Sequence, residues 1–422
     1  MKISNLIPAS QRDRLHFNAF LIFLSNAILA VTGAIFWLIN AHMFSTQNVG
    51  LATAMISLVS TISNFSMLGF NNLFLRFLPR HINRSQLLNV GFLITGLASL
   101  ILSIAVFFLV PAFAPRLHLF ANTGGDFVLL AVFVVTTTLN LLTNSVFIAL
   151  RVPGIMLVIN LIFGALRILL IFAFTKNSPI PIYLVYLMAT VVAAVLSILY
   201  LIAKRGYSLT AIPNKNTLNS LKSFTANSYV VSILGGLPAM LLPIILTEKL
   251  GANNSAFYFM ASTTAGFLTI LPVAIGQSLT VEGAYDEAAL SRYVKRASRT
   301  MLAIMIPVVT VTIIIAYYIM LIFGHSYADH STVLMRILAL SGLLTTVNYI
   351  AISILNIKKK LGVQIIVNTV DAVIVIGGVI IFAHNLTDVG IIWLVGEVAN
   401  AGLFSWFAYR ASHLTISTSS TA

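Results

Sequence analysis

Four charged side chains stand inside long apolar runs of this chain: Arg167, Arg336, Asp371 and Glu397. A guanidinium offers a planar fork of N–H donors suited to phosphate or carboxylate, and a carboxylate can take up and release a proton. Arg167 lies in PGIMLVINLIFGALRILLIFAFT, Pro153 to Thr175, where no other residue is charged. It follows Pro153 at a distance of about 21 Å along a helix, which places it in the outer half of a membrane. Asn160, Gly164 and Arg167 are spaced i, i+4 and i+7 and so share one helix face. Gln364, Asn368 and Asp371 repeat that spacing in a later run, and Glu397 lies near mid-depth in the last one. Arg336, six residues beyond His330, lies closer to the outer surface.

A charge at membrane depth costs about 2.5–3.5 kcal/mol on insertion scales, so each of the four calls for a role. In one reading Arg167 and Arg336 hold an anionic headgroup, while Asp371 or Glu397 takes up the ion that drives cycling. In the other, Arg167 pairs with Asp371 or Glu397 and ties helices together without touching a substrate. Two basic and two acidic groups cancel, so charge alone defines no cationic cavity.

The elements that must position these groups follow from composition. Of 422 residues 59% are hydrophobic and 8% charged, against about 25% charged in a soluble domain. The chain reads as an all-α polytopic membrane protein with about twelve transmembrane helices, since open sheet edges cannot face lipid. Its first apolar run, Phe17 to Ile39, is too long for a cleaved signal and reads as a retained helix. Nineteen of the 24 Lys and Arg fall in breaks on the side of the N-terminus, Arg76, Arg80 and Arg84 among them. By the positive-inside rule both termini are cytoplasmic, in a cell inner membrane. The net charge of +14 is then a topology signal suited to membrane lipids, with no nucleic-acid partner.

No break is long enough to hold a soluble domain. The two longest cytoplasmic ones, Lys204 to Ser223 and Glu282 to Thr300, are expected to lie on the membrane surface as amphipathic helices. Segments about 206 residues apart are alike: Phe44-Ser45-Thr46-Gln47-Asn48-Val49-Gly50-Leu51 and Leu250-Gly251-Ala252-Asn253-Asn254-Ser255-Ala256-Phe257. Six spans repeated in one orientation give two pseudo-symmetric six-helix bundles, residues 1–206 and 207–422, around a central cavity. Gly235, Gly236, Pro238 and Pro243 should bend the seventh span, making it a gate or a static kink. Asn160, Asn368 and Gln364 are expected to line the cavity. Arg76 stands where an incoming headgroup would first meet the protein. Without cysteine, and with His325 and His330 on a loop, no metal site or cofactor is expected, and nothing points to an enzyme.

The run Phe36-Trp37-Leu38-Ile39-Asn40-Ala41-His42-Met43-Phe44, continuing into Val49-Gly50 and then Gly69-Phe70-Asn71-Asn72 and Arg76-Phe77-Leu78-Pro79-Arg80, resembles the opening of the polysaccharide or O-antigen flippases. These belong to the multidrug/oligosaccharidyl-lipid/polysaccharide exporter superfamily. His42 stands where family members commonly carry a basic residue. The resemblance implies a V-shaped pair of bundles opening alternately to the two sides. It also implies a substrate, an oligosaccharide repeat unit on a polyprenyl diphosphate carried to the outer leaflet for cell-surface polysaccharide assembly. A monomer driven by a proton or sodium gradient, working beside the polysaccharide polymerase of its pathway, goes with that reading. A multidrug or small-solute antiporter of the same superfamily is the alternative. A glycan polymerase or ligase has no outer loop large enough to house it.

Overall fold

The computed structural model describes residues 11–80, 83–120, 122–174, 177–208, 226–286, 289–358 and 360–418. Regular structure among them is helical, and twelve stretches are long and apolar enough to cross a membrane. In order the helices are α1 (Gln11–Met43), α2 (Thr46–Ser66), α3 (Phe70–Phe77), α4 (Arg84–Phe113), α5 (Gly124–Ala149), α6 (Pro153–Leu170) and α7 (Ile180–Arg205). They continue as α8 (Ala226–Lys249), α9 (Ala252–Gly266), α10 (Ile270–Tyr285), α11 (Leu290–Leu321), α12 (His325–Ile357), α13 (Leu361–Ala372), α14 (Gly378–Phe382) and α15 (Leu386–Thr418). The pairs α9–α10 and α13–α14 each make one span, and α3 is a short addition to α2.

Local chemistry sets the helix ends. Pro153 opens α6 where a missing N–H costs nothing. Thr123 and Asp126 close a reciprocal capping box on α5. Gly206 ends α7 in the left-handed conformation, with φ 62°. Large apolar side chains face outward, Phe113 at 78% exposure and Ile314 at 67%, as a lipid-solvated surface requires.

The chain divides into two compact units. One comprises Met1–Phe44 with Met55–Tyr229, the other Ser45–Ala54 with Val230–Ala422, so the opening turns of α2 belong with the later helices. The first unit packs Leu73, Phe74, Leu87, Leu142, Phe147 and Leu201 into a core shared by α3, α4, α5 and α7. In the second, Ala351, Leu355, Val367, Phe404 and Ala408 join α12, α13 and α15.

Three features depart from the linear pattern. The second span breaks after Ser66, where Leu68 and Gly69 have φ of 48° and 80°, and the chain restarts as α3. Leu68 is strained there, whereas Gly69 is not. The eleventh span passes through a π-helical turn, Val373–Gly377, directly after α13. Glu282 to Thr300 is not one surface helix: Glu282 lies near the end of α10, and Leu290 opens a 32-residue helix that runs on into the membrane. With no glycine or proline between Leu290 and Ile306, nothing stops that helix at the interface. Most of the other expected surface segment lies outside the described residues.

The two similar segments meet within the second unit. Thr46 donates to the Asn253 side chain at 2.9 Å, and a Cβ on Gly50 would stand 1.8 Å from the Ala252 carbonyl oxygen. Because the obstacle is backbone, Gly50→Ala should destabilise the protein by about 1–3 kcal/mol or more. Gly96 has nothing within 4 Å of its would-be Cβ. Thermal unfolding in detergent should therefore show a lowered midpoint for Gly50→Ala and none for Gly96→Ala; equal midpoints would contradict the packing.

Candidate functional site

Arg167 is 3% exposed, enclosed by α1, α6 and α7 of the first unit. Its Nη2 donates to the Leu29 carbonyl at 3.3 Å and to the Thr32 hydroxyl at 3.2 Å. Its guanidinium carbon lies 4.7 Å from the Phe163 ring centre and 5.5 Å from those of Phe36 and Tyr186. Three ring faces supply the negative potential that a desolvated cation needs. Nε is buried and has no hydrogen-bond partner. The first unit contains two acidic residues, Asp13 and Asp126. Asp126 is engaged at Thr123 and Asn122, and the side chain of Asp13 lies outside the described residues.

The predicted stripe on α6 is a single face, and it packs on α1. Asn160 donates to Ser25 at 3.0 Å, and a Cβ on Gly164 would come within 2.4 Å of the Thr32 hydroxyl. Glycine at 164 lets the two helices approach closely enough for Arg167 to reach Thr32 and Leu29.

The two intramembrane carboxylates come together in the second unit. Asn348 donates to Glu397 at 2.7 Å, with the Thr345 hydroxyl also in reach. Asp371 bonds Asn400, and the two acids are near enough to repel each other. Gly396 makes this possible, because a Cβ there would stand 2.9 Å from an Asp371 carboxylate oxygen. Asn348 Oδ1 is buried without a partner. The cluster thus holds two acids and a free acceptor, with Asn348 and Asn400 among its donors.

The other candidates have partners of their own. Gln364 donates to Asn356 at 2.7 Å and Asn368 to the Val231 carbonyl at 3.2 Å, both bonds between helices of the second unit. Gly235 lets Asn368 approach, its would-be Cβ lying 3.1 Å from the amide nitrogen. Gly236, Pro238 and Pro243 lie inside α8, which stays helical through both prolines. Arg336 is exposed and donates through Nε to the Ile313 carbonyl at 3.2 Å. Arg76 is exposed on α3, over the ring of Phe77. No group of three or more His, Asp or Glu able to hold a metal occurs among the described residues. Sequence reasoning missed the aromatic cage and Asn400. Phe163, one helical turn before Arg167, was within reach of a spacing argument; Phe36 and Tyr186 were not.

No family model and no curated protein matches this sequence. Solved structures do match. An inward-facing multidrug resistance MATE family transporter of the MOP superfamily aligns with TM-score 0.61 and 17% identity, over 94% of this chain and 95% of that one. A MATE protein in complex with MaL6 gives 0.61 and 15% over the same shares. A MOP superfamily transporter from Pyrococcus furiosus, whose binding pocket of reverse polarity is described as suggesting a different function, gives 0.60 and 16%, again over 94% and 95%. At these identities the likeness establishes a MATE-like fold along nearly the whole chain.

The geometry around Glu397 separates two substitutions. Glu397→Gln keeps an acceptor for Asn348 and removes a charge facing Asp371, so its melting point should equal or exceed that of the parent. Glu397→Ala strands the buried Asn348 amide and should cost about 1–3 kcal/mol. A Gln variant as unstable as the Ala variant would refute the assigned contact.

Proposed function

We propose that this chain is a membrane transporter that carries polyprenyl-diphosphate-linked oligosaccharide units from the inner to the outer leaflet by alternating access, for O-antigen, capsule or exopolysaccharide assembly. The observation that carries the reading is Arg167, a buried guanidinium held by three rings, a hydroxyl and a carbonyl, with Nε unpartnered. Rings and neutral acceptors, the Tyr186 side chain among them, stabilise this cation without neutralising it, which leaves it able to attract an anion, and its fork suits a diphosphate. In the closed arrangement described here, α1 and α6 would have to part at Gly164 and Thr32 before a headgroup could reach it. The sugars would cross in a water-filled cavity while the polyprenyl tail stayed in lipid. Both termini would be cytoplasmic, as the basic breaks favour.

The fold likeness supports a multidrug or small-solute antiporter equally well. The buried cation of the first unit is what favours an anionic substrate over a cationic drug. Asp371 and Glu397 would take up the coupling ion, proton or sodium. The direction of the dependence follows: a gradient that loads this pair from outside should accelerate export, and dissipating it should slow export.

Reconstituted vesicles separate the readings. Arg167→Ala should lower translocation of a fluorescent lipid-linked oligosaccharide at least tenfold per inserted molecule, with Arg167→Lys between it and the parent. Full translocation by a normally inserted Ala variant, or ethidium export by the parent with no glycolipid movement, would overturn the proposal. In the same vesicles Asp371→Asn and Glu397→Gln should flatten the response to an imposed proton or sodium gradient. An unchanged response to both gradients in both variants would remove these residues from coupling.

A further inference from the structure

We propose that Arg336 holds the phosphate of a membrane lipid at the lipid-facing surface of the second unit. This site is independent of the buried Arg167 and of any transported substrate.

Helix α12 opens with His325, Ser326, Asp329, His330 and Ser331, then continues to Ile357 with Arg336 as its one charged residue beyond that opening. The guanidinium-bearing residue is six positions past His330, about 9 Å farther along the helix. On its own face it is flanked by Val333 and Leu340, 50% and 43% exposed. Beside its bonding partner Ile313, on α11, Ile314 is 67% exposed. Outward apolar side chains on both helices mark a surface that acyl chains cover. Arg336 itself is exposed among them.

Such a position leaves a cation in hydrocarbon unless something answers its charge. Among the described residues its polar contact is the Nε bond to the Ile313 carbonyl, so both terminal nitrogens remain available. Several of the second unit's carboxylates have partners of their own. Asp371 and Glu397 bond Asn400 and Asn348, Asp388 accepts from the His384 and Asn385 amides, and Asp286 accepts from the Ala289 amide. Asp329 shares the face of Arg336, but seven residues away, about 10.5 Å along the axis. His330 is stacked on Phe257.

The anchored Nε fixes the plane of the fork, leaving the two terminal amino groups to act as a pair. Helical side chains lean toward the N-terminus of their helix, here toward the Gly324 turn that joins α11 to α12. The fork therefore rises toward the headgroup layer, where the abundant anion is a lipid phosphate. A lysine would keep the charge and lose the bidentate geometry.

Native mass spectrometry after reconstitution in mixed phosphatidylcholine and phosphatidylglycerol nanodiscs tests this. The parent protein should retain one phospholipid more than Arg336→Gln, with Arg336→Lys showing partial loss. Equal retention by the parent and the Gln variant would overturn the proposal. So would release of the adduct from the parent by millimolar inorganic phosphate, which would mark a free-anion site. Independently of that variant's folding, Leu340→Trp should be quenched more strongly by headgroup-labelled phosphatidylglycerol when Arg336 is present than when it is Lys. Quenching that ignores residue 336 would count equally against it.

Discussion

A bilayer interior offers no water, so every polar group within these helices must find its partner in the protein. Most do so without leaving their own helix. Thr95 returns its hydroxyl to the Gly91 carbonyl, Ser197 to Ala193 and Thr346 to Gly342, each four residues back. A polar residue in a span is therefore weak evidence of a site. More informative are groups that reach another helix or reach nothing; among the described residues the buried atoms without a partner are Asn40 Oδ1, Gln86 Oε1, Ser103 Oγ, Thr137 Oγ1, Tyr327 Oη, Arg167 Nε and Asn348 Oδ1. The last two belong to the clusters built around the intramembrane charges.

Close approach between helices is what lets those groups find partners, and glycine supplies it repeatedly. Gly164 faces Thr32 beside Arg167, Gly396 faces Asp371, and Gly235 faces Asn368. In lipid, where apolar surfaces gain little from meeting each other, packing through small residues and the hydrogen bonds it permits carry much of helix association. The polar stripes and the glycines are thus one device. A stripe such as Asn160, Gly164 and Arg167 pairs two polar residues with the small residue that allows them to be used.

That device explains what the sequence could and could not disclose. Span count and helical class are written in composition and run length, which need no knowledge of neighbours. The shared face of Asn160, Gly164 and Arg167 is written in spacing. Which helix meets that face is not, because Leu29 lies 138 residues from Arg167 and nothing in either segment names the other. The stripe on α13 makes the point again: Gln364, Asn368 and Asp371 share a face, yet bond Asn356, Val231 and Asn400 on three different helices. The break at Leu68 was hidden because leucine seldom adopts positive φ. The π turn after α13 was hidden because Val373–Gly377 looks like any apolar helix.

The distribution of charge between the units remains the strongest constraint on mechanism. The first unit buries a cation among rings, and the second gathers two carboxylates whose partners among the described residues are neutral amides and a hydroxyl. Neither arrangement is balanced by an ion pair within its own described surroundings. Rings and amides stabilise a charge without cancelling it, so each cluster gains from a mobile ion of the opposite sign. Under the proposed function, the ion at Arg167 would be an anion able to use the guanidinium fork, and the one at Asp371 and Glu397 a small cation or a proton. Each unit thus carries a buried charge that the described residues of that unit stabilise without cancelling.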